Sequence, residues 1–186
     1  PVMRQSEGHA AYDKVLGDLW DSDALFACSC SRRDIAQAAS APQEGVAPSI
    51  GADGLVYPGT CRANSSSSGT FPIPKDFALR LSVDYVAAAK AIPRIGGDMF
   101  CFTETGQGPK GETGLIEFTA QSVIDTIGDV VLARRDMGTS YHLSVVLDDA
   151  AQGITHVVRG TDLFEATRIH VVLQRLLDLP TPIYHH

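Results

Sequence analysis

The pattern of apolar and polar positions is clearest over residues 129–179, and the rest of the chain is interpreted around this segment. Its first third holds two apolar, β-branched runs, residues 130–132 and 143–147, on either side of a turn-forming Asp-Met-Gly at 136–138. Short apolar runs bounded by turn residues predict strands. Tyr141 is therefore expected at the start of the second strand.

The same segment continues with a third apolar run, residues 154–158, which leads into Arg159 and Gly160. Residues 163–177 then show apolar positions at helical spacing. In an open α/β sheet, small ligands bind in the crevice beyond the carboxyl ends of the strands. Arg159 is thus placed to hold a carboxylate or a phosphate.

The amino-terminal part predicts a helix, a strand and a second helix. Apolar residues at spacings of three and four over residues 7–20 predict an amphipathic helix, and residues 25–27 predict a short strand. Ser31 followed by Asp34 is a variant of the capping box, so a short helix should extend to about residue 39.

The middle of the chain alternates loops with short elements. Residues 40–56 are rich in proline and glycine, and residues 64–70 are mostly serine, so both predict loops. The remaining predicted elements are a strand at 77–81, a helix-compatible stretch at 83–92, a strand at 99–103, and a hairpin-like loop at 106–114 before a strand at 115–118.

Composition favours one domain, or one domain with a sizeable insertion, because the chain has 186 residues of which 44% are hydrophobic. No apolar run approaches the roughly 20 residues of a spanning helix, and the first residues lack the apolar core of a signal peptide. We therefore expect a cytoplasmic protein with no membrane partner.

The formal net charge of −7 argues against a broad nucleic-acid surface. Any such contact should be local, with Arg32-Arg33, Arg62 and Arg134-Arg135 as candidates.

Three cysteines form the first candidate site. Cys28-x-Cys30 is followed by Tyr57-x3-Cys61, and thiolates are soft ligands that suit tetrahedral zinc. Tyrosine is an uncommon zinc ligand, because its pKa near 10 must fall before it binds well. Buried free cysteines and a disulfide are the alternatives to a metal site. Cys101 lies between two phenylalanines and is interpreted as a core residue.

Tyr141 and Arg159, 18 residues apart, form the second candidate site. A guanidinium can bind a carboxylate through two parallel hydrogen bonds, and a phenol can orient an amino group or a second oxygen. Both residue types are also common at strand ends on ordinary surfaces. The histidines show no metal-binding spacing, and neither a P-loop nor a Gly-x-Ser-x-Gly motif occurs.

Two segments, SYHLSVVLDDAAQGITHVVRGTDLFEAT and LLDLPTPIYHH, resemble the second half of the class I glutamyl-tRNA synthetase catalytic domain. The similarity is greater still to the truncated branch of that family, the glutamyl-Q tRNA(Asp) synthetases, which look like the parent enzyme without its anticodon-binding domain. It is strongest over residues 128–186 and good over residues 1–39 and 55–62. Two motifs favour the truncated branch: VRGTDL at 158–163, where full synthetases usually have Arg-Gly-Glu-Asp-His, and YPGTC at 57–61.

The resemblance implies a function and a set of site residues. The family branch activates glutamate with ATP and Mg²⁺ and transfers it to the queuosine base in the anticodon loop of tRNA(Asp). By similarity, one Zn²⁺ is held by Cys28, Cys30, Tyr57 and Cys61. Tyr141 and Arg159 match the glutamate-binding tyrosine and arginine. Asp162 lies on the nucleotide side, although a simple first-turn acid favoured by a helix dipole is an equally good interpretation.

The chain also departs from the family pattern. The 26 residues between Cys30 and Tyr57 are more than is usual, so the zinc loop carries an insertion. The two ATP signatures, resembling His-Ile-Gly-His and Lys-Met-Ser-Lys-Ser, would lie before Pro1 and after His186. We therefore expect this stretch alone to bind glutamate weakly and to form no adenylate, and the catalytic residues stay unassigned.

The resemblance implies an α/β fold: a class I Rossmann-type nucleotide-binding domain, incomplete in this stretch, with an inserted zinc-bearing α+β subdomain. The expected division is residues 1–24 for the end of the first Rossmann half, 25–127 for the insertion and 128–186 for the second half. A monomer is expected. Two other functions remain open: the catalytic core of a full glutamyl-tRNA synthetase, and a catalytically inactive, zinc-stabilised tRNA-binding module.

Overall fold

A computed structural model describes residues 5, 8–40, 50–52, 54–62, 71–88, 99–135 and 138–186. The helices are α1 (His9–Asp21), α2 (Arg32–Ala39), α3 (Val83–Ala88), α4 (Ala120–Thr126), α5 (Tyr141–Gln152) and α6 (Ala166–Leu176). The strands are β1 (Leu25–Cys28), β2 (Ile50–Gly51), β3 (Gly54–Leu55), β4 (Ala78–Leu81), β5 (Met99–Glu104), β6 (Gly114–Thr119), β7 (Val131–Arg134), β8 (Gly138–Thr139), β9 (His156–Val158) and β10 (Ile183–His185).

The strands form two four-stranded sheets and one small hairpin. The first sheet has the order β1-β4-β7-β8 with antiparallel neighbours, and β2 pairs with β3 alone. The second sheet has the order β6-β5-β10-β9; β5 and β6 form an antiparallel hairpin, whereas β10 runs parallel to both β5 and β9. The architecture is therefore mixed α/β. Each sheet combines strands from residues 25–127 with strands from residues 128–186, and the predicted division into domains stays a prediction.

The three parallel strands bring distant parts of the sequence to one edge. Glu104 ends β5, Arg159 follows β9, and His186 follows β10. The carboxyl ends of parallel neighbours lie at the same edge of a sheet, which is where α/β folds bind ligands. The fold thus accounts for the meeting of residues more than 80 positions apart, such as Glu104 and His186.

The main core lies between the sheets and helices α1, α5 and α6. Leu132, Leu143, Phe164 and Leu173 are each 0% exposed within it. Burying one such side chain stabilises a fold by about 1.5–3 kcal/mol. A separate, smaller apolar cluster contains Phe26, Cys28 and Tyr57. This second cluster is too small to order its loops by apolar burial alone, so these loops need another source of stability.

The predicted strand at residues 143–147 is wrong, because these residues lie in α5. Ser140 caps the helix by accepting a hydrogen bond from the Leu143 N–H, and Gly153 ends it in the left-handed conformation at φ 65°. Leu143 and Val146 are the buried apolar positions, a helical spacing of three. Tyr141 is consequently the first residue of a helix, and His142 is helical as well.

Most other predicted elements are confirmed. These are the helix over 7–20, the strand at 25–27, the capping box with its helix to 39, the strands at 77–81 and 99–103, and the hairpin loop before 115–118. Within 40–56, a loop was predicted but residues 50–51 and 54–55 pair as a hairpin. The predicted loop at 64–70 and the end of the 83–92 stretch lie outside the described residues. Cys101 was predicted in the core, but it is only partly buried because Phe100 and Phe102 point to the opposite face of β5.

Over the described ranges, the helices are all too short or too polar to cross a membrane.

Candidate functional site

The three cysteines and the tyrosine of the predicted zinc site lie together. The Sγ atoms of Cys28, Cys30 and Cys61 are within 4.8 Å of one another. Tyr57 Oη lies 3.4 Å from Cys28 Sγ and 3.5 Å from Cys30 Sγ, and Cys30 Sγ lies 3.4 Å from Cys61 Sγ. All four cysteines of the chain are free, so no disulfide forms here.

Local structure delivers these groups from three segments. Cys28 ends β1, and Cys30 immediately precedes the capped start of α2. The Tyr57 segment crosses Gly128, whose φ of +70° and close approach to Val56 leave no room for a side chain, since an added Cβ would lie 2.7 Å from Val56 Cγ1. The glycine therefore allows the tyrosine to reach the thiols.

An ion pair between half-buried Arg62 and buried Asp129 anchors the loop of the last candidate ligand, Cys61. Arg62, next to Cys61, donates to Asp129 Oδ2 at 2.9 Å through Nε, and Asp129 Oδ1 accepts the Val83 N–H at 2.8 Å. Burial raises the pKa of Asp129, while Arg62 and the Val83 N–H favour its charged form. The loop with Cys61 is thus tied to the start of β7.

The thiols differ in their readiness to ionise. Burial raises the pKa of Cys30 to about 11. Burial also opposes ionisation of Cys61, but hydrogen bonds from Tyr57, Ser29 and Cys30 outweigh it and lower the pKa of the Cys61 thiol to about 6. Burial raises the pKa of Tyr57 above its usual value. At neutral pH Cys61 is therefore the thiolate to which a cation would first bind.

The donor atoms suit tetrahedral zinc chemically, and some of their spacings are close to those around a bound metal. With Zn–S near 2.3 Å and Zn–O near 2.0–2.2 Å, ligand atoms on one metal are separated by roughly 3.5–3.8 Å. The spacings of Tyr57 Oη from two thiols, 3.4 and 3.5 Å, lie close to that range. The Cys61 N–H also donates to Tyr57 Oη at 2.8 Å, which favours a phenolate. A divalent cation would supply the remaining stabilisation of this phenolate.

Arg159 lies in a polar cluster at the carboxyl edge of the second sheet. Its Nε donates to His186 Nε2 at 3.1 Å, its Nη1 contacts His170 Nδ1 at 3.0 Å, and its Nη2 donates to Thr167 Oγ1 at 2.5 Å. The guanidinium also lies 5.1 Å from the centre of the Tyr184 ring. Nη1 keeps a second N–H, so a carboxylate could bind there without displacing a neighbour.

These contacts fix the histidine tautomers. Because Arg159 can only donate, His186 accepts at Nε2 and donates from Nδ1 to Glu104 Oε2 at 2.5 Å. His170 likewise accepts at Nδ1 and faces His142 Nδ1 with Nε2 at 3.1 Å. Burial and then Arg159 lower the pKa of His170 to about 2, so this ring stays neutral. A hydrogen-bonded chain runs from His142 to Glu104.

Glu104 is the charged end of this chain. It is 1% exposed and also accepts the N–H groups of Gly106 and His186. Burial opposes its ionisation, but these hydrogen bonds lower the pKa of Glu104 below its usual value. The carboxylate holds the His186 ring, and His186 in turn orients Arg159.

We predict that Glu104→Gln lowers the free energy of unfolding by about 1.5–3 kcal/mol at neutral pH, because it removes a charge-assisted hydrogen bond. Since folding lowers this pKa, the stability from Glu104 is present above the unfolded pKa, near 4.5, and is lost as pH falls through the lower folded value. Urea unfolding between neutral pH and pH near 3 checks this. The difference in unfolding free energy between wild type and variant should be present at neutral pH and should shrink near pH 3. The same difference at both pH values, or no difference at either, would contradict the prediction.

Tyr141 reaches the same cluster from the start of α5. Its ring makes an edge-on contact with His170 at 5.8 Å between centroids, and it is 48% exposed. It also lines a cavity of about 410 Å³ with Tyr12, Ser140 and Ser144. Tyr141 and Arg159 therefore both contact one histidine, His170. Tyr141 reaches His170 because it is the first residue of α5, and not because it begins a strand paired with the one before Arg159.

Asp162 lies on the segment that follows Arg159 and Gly160. It is in a single 3₁₀ turn, Thr161–Leu163, and is exposed. The following α-helix begins only at Ala166. Its carboxylate lies over Gly160 at the end of the loop that bears Arg159. The nucleotide role of Asp162 stays a prediction.

Sequence reasoning missed Glu104, Thr167, His170 and His186. The sequence contained one signal for two of them, which is a polar residue at a position where the pattern calls for an apolar one. Glu104 falls at an inward position of β5, and His170 interrupts the apolar face of α6. His142, His170 and His186 belong to the hydrogen-bonded chain around Arg159. Among the described residues, a group of three possible metal ligands occurs only at the cysteines.

Comparison with known proteins first identifies the class of protein that this chain resembles. Residues 111–186 match the family of class I tRNA synthetases for E and Q, catalytic domain. A solved glutamate tRNA ligase from Elizabethkingia meningosepticum, in complex with its amino acid, superposes with a TM-score of 0.64 at 18% identity; the alignment covers 100% of this chain and 34% of that one. The chain therefore shares its fold with the aligned part of this ligase, and residues 111–186 match the class I catalytic domain.

The names of individual relatives narrow the similarity to one branch of this class. The chain is 54% identical over 186 residues to the glutamyl-Q tRNA(Asp) synthetase of Rhodobacter capsulatus, covering 100% of this chain and 61% of the relative. It is 38% identical to the protein of the same name from Xanthomonas axonopodis, covering 48% of it. The chain thus spans from just under half to about three fifths of the length of these relatives. The resemblance to the glutamyl-Q tRNA(Asp) synthetases is confirmed.

Proposed function

We propose that this chain is part of a ligase that activates glutamate with ATP and transfers it to the queuosine base of tRNA(Asp). The observation that carries the proposal is the 54% identity, over every residue of the chain, to a glutamyl-Q tRNA(Asp) synthetase. The carboxyl-edge cluster around Arg159 supports an amino-acid site at the position where α/β folds bind ligands.

In this proposal Arg159 binds a glutamate carboxylate through its remaining Nη1 donor, and Tyr141, which contacts the same His170, orients the substrate. The preorganised chain Glu104–His186–Arg159 holds the guanidinium before substrate arrives. Such fixed donors stabilise a bound anion without reorganisation during the reaction. Asp162 is proposed at the nucleotide side, where ATP binds with Mg²⁺.

Adenylate formation joins a glutamate carboxylate oxygen to the α-phosphorus of ATP and releases pyrophosphate. The second step passes the glutamyl group to the queuosine base and releases AMP. We propose a Rossmann-type domain for both steps, with residues 25–127 as a zinc-bearing insertion. Cys28, Cys30, Tyr57 and Cys61 would hold Zn²⁺, which supplies structural cross-linking rather than catalysis. The enzyme is proposed to act in the cytoplasm.

The test uses the full-length enzyme in two assays. Glutamate-dependent exchange of pyrophosphate into ATP should occur without tRNA, and labelled glutamate should then appear on tRNA(Asp) that carries queuosine but not on tRNA(Asp) that lacks it. Charging of tRNA(Glu) at its 3′ end would favour a full glutamyl-tRNA synthetase. Absence of exchange with every amino acid would favour an inactive tRNA-binding module.

A further inference from the structure

A cavity beside the cysteine cluster has an unusual charge. It has a volume of about 440 Å³, and Arg32, Arg80, Arg134 and Arg135 line it together with Cys30 and Tyr57. Four arginines thus surround one recess on a chain with a formal net charge of −7. At physiological salt, charges are screened beyond about 8 Å. The local positive charge therefore determines which ligand can bind in the recess.

The acidic residue in the cavity wall does not cancel these arginines. Asp129 is a lining residue, but its side chain is 0% exposed and its oxygens are engaged by Arg62 and by the Val83 N–H. By contrast, Arg32, Arg134 and Arg135 are exposed and make no ion pair with any residue in the part of the chain that the structure describes. Their charges are therefore available to a ligand.

One of the four guanidinium groups is already fixed in place. Arg80 donates from Nη1 to the backbone oxygen of Asp129 at 2.8 Å, and its guanidinium lies 4.1 Å from the centre of the Tyr57 ring. Its buried Nε has no hydrogen-bond acceptor within the described residues. A held guanidinium loses little conformational freedom when it binds an anion. The recess is therefore partly preorganised.

Arg134 connects this recess to the amino-acid side of the molecule. It also lines the cavity of about 410 Å³ that contains Tyr141. The two cavities consequently adjoin at one arginine. A polyanion bound along the arginines would present its next unit to the cavity beside Tyr141.

We propose that the arginine-lined recess binds the phosphodiester backbone of RNA and directs the adjoining nucleotide towards the Tyr141 cavity. The second half of this statement rests on the proposed function; the first half does not. Arginines on three separate segments, α2, β4 and the end of β7, suit consecutive phosphates of a chain better than one compact triphosphate. Backbone recognition of this kind fixes the position of the RNA without reading its sequence.

The test measures binding of a fluorescent RNA hairpin with the sequence of the tRNA(Asp) anticodon stem-loop as salt rises from about 50 to about 200 mM. Replacing one phosphate-contacting arginine should reduce the slope of log affinity against log salt by about 1. We expect this reduction for Arg32→Ala and for Arg135→Ala. Arg33→Ala is the matched control: it removes the same charge from the neighbouring exposed position, which does not line the recess, and should leave the slope nearly unchanged.

Melting temperature checks that the variants fold, and these exposed side chains should not affect it. Equal slopes for Arg32→Ala, Arg135→Ala and wild type would overturn the proposal, and so would an equal reduction in Arg33→Ala. ATP added as a competitor tests the other source of phosphate; displacement of the hairpin by ATP at micromolar concentration would assign the recess to a nucleotide and also overturn it. Arginine-dependent hairpin binding by an enzyme without pyrophosphate exchange would refute the proposed function and leave the RNA site standing.

Discussion

Cys28→Ser should abolish stoichiometric zinc binding and lower the melting temperature far more than Cys101→Ser. Cys28 is 1% exposed and its thiol lies within 4.8 Å of two others, so its loss leaves an incomplete ligand set. Loss of an outer-shell partner alone costs about 10–100-fold in metal affinity, and loss of a ligand should cost more. Because metal binding is coupled to folding, that affinity appears directly as stability.

The size of the neighbouring core explains why the effect on stability should be large. Phe26, Cys28 and Tyr57 are the fully buried members of the cluster, and their loops gain little from apolar burial. A metal that links β1, the start of α2 and the Tyr57 loop replaces the missing core. Cys101 is a matched control because it is a partly buried cysteine on a strand with no other thiol beside it.

Metal analysis of protein purified without added zinc, followed by thermal unfolding with and without a chelator, checks this prediction. Wild type and Cys101→Ser should contain about one zinc per chain and lose stability with the chelator. Cys28→Ser should contain little zinc and respond weakly. Reduced wild-type protein with no bound metal, and with the same melting temperature in the chelator, would return these residues to the class of buried free cysteines.

The elements that the sequence predicted correctly depend on neighbours in the chain. The Ser31 capping box is closed by Asp34, three residues away, with both reciprocal hydrogen bonds formed. The alternation at residues 78–81 likewise reflects a single strand with one buried face. Such signals need no knowledge of the tertiary structure.

The failures have two physical causes. Residues 143–147 form an apolar run that suits either a strand or a buried helix, and only the capping residues Ser140 and Gly153 distinguish the two. The members of the cluster around Arg159 were not predicted for another reason. Glu104 and His186 are 82 residues apart and meet only when β5 and β10 pair in parallel. The sequence pattern contains no information about that pairing. The cysteine group could be predicted because soft ligands at short spacings report their chemistry directly.

Arg159→Ala should weaken glutamate binding by the full-length enzyme by one to two powers of ten. Losing one charge-assisted hydrogen-bonded pair costs about 1.5–3 kcal/mol, and about 1.4 kcal/mol corresponds to one decade in affinity. Arg159→Lys should be nearly as damaging. A lysine cannot contact His186, His170 and Thr167 from three nitrogens at once, so the remaining donor would no longer be aimed at the substrate.

Glutamate-dependent pyrophosphate exchange, measured over a range of glutamate concentrations, is the assay. Arg168→Ala is the matched control, since that arginine also lies on α6 but pairs with Glu165 and lies over the Phe118 ring rather than in the Arg159 cluster. We expect its apparent affinity for glutamate to equal that of wild type. An Arg159→Ala variant with wild-type affinity would show that the guanidinium only braces the ends of β9 and β10, and glutamate would have to bind elsewhere. A raised KM with kcat largely retained would instead place Arg159 at the carboxylate in both the ground state and the transition state, since uniform binding is what such a residue contributes.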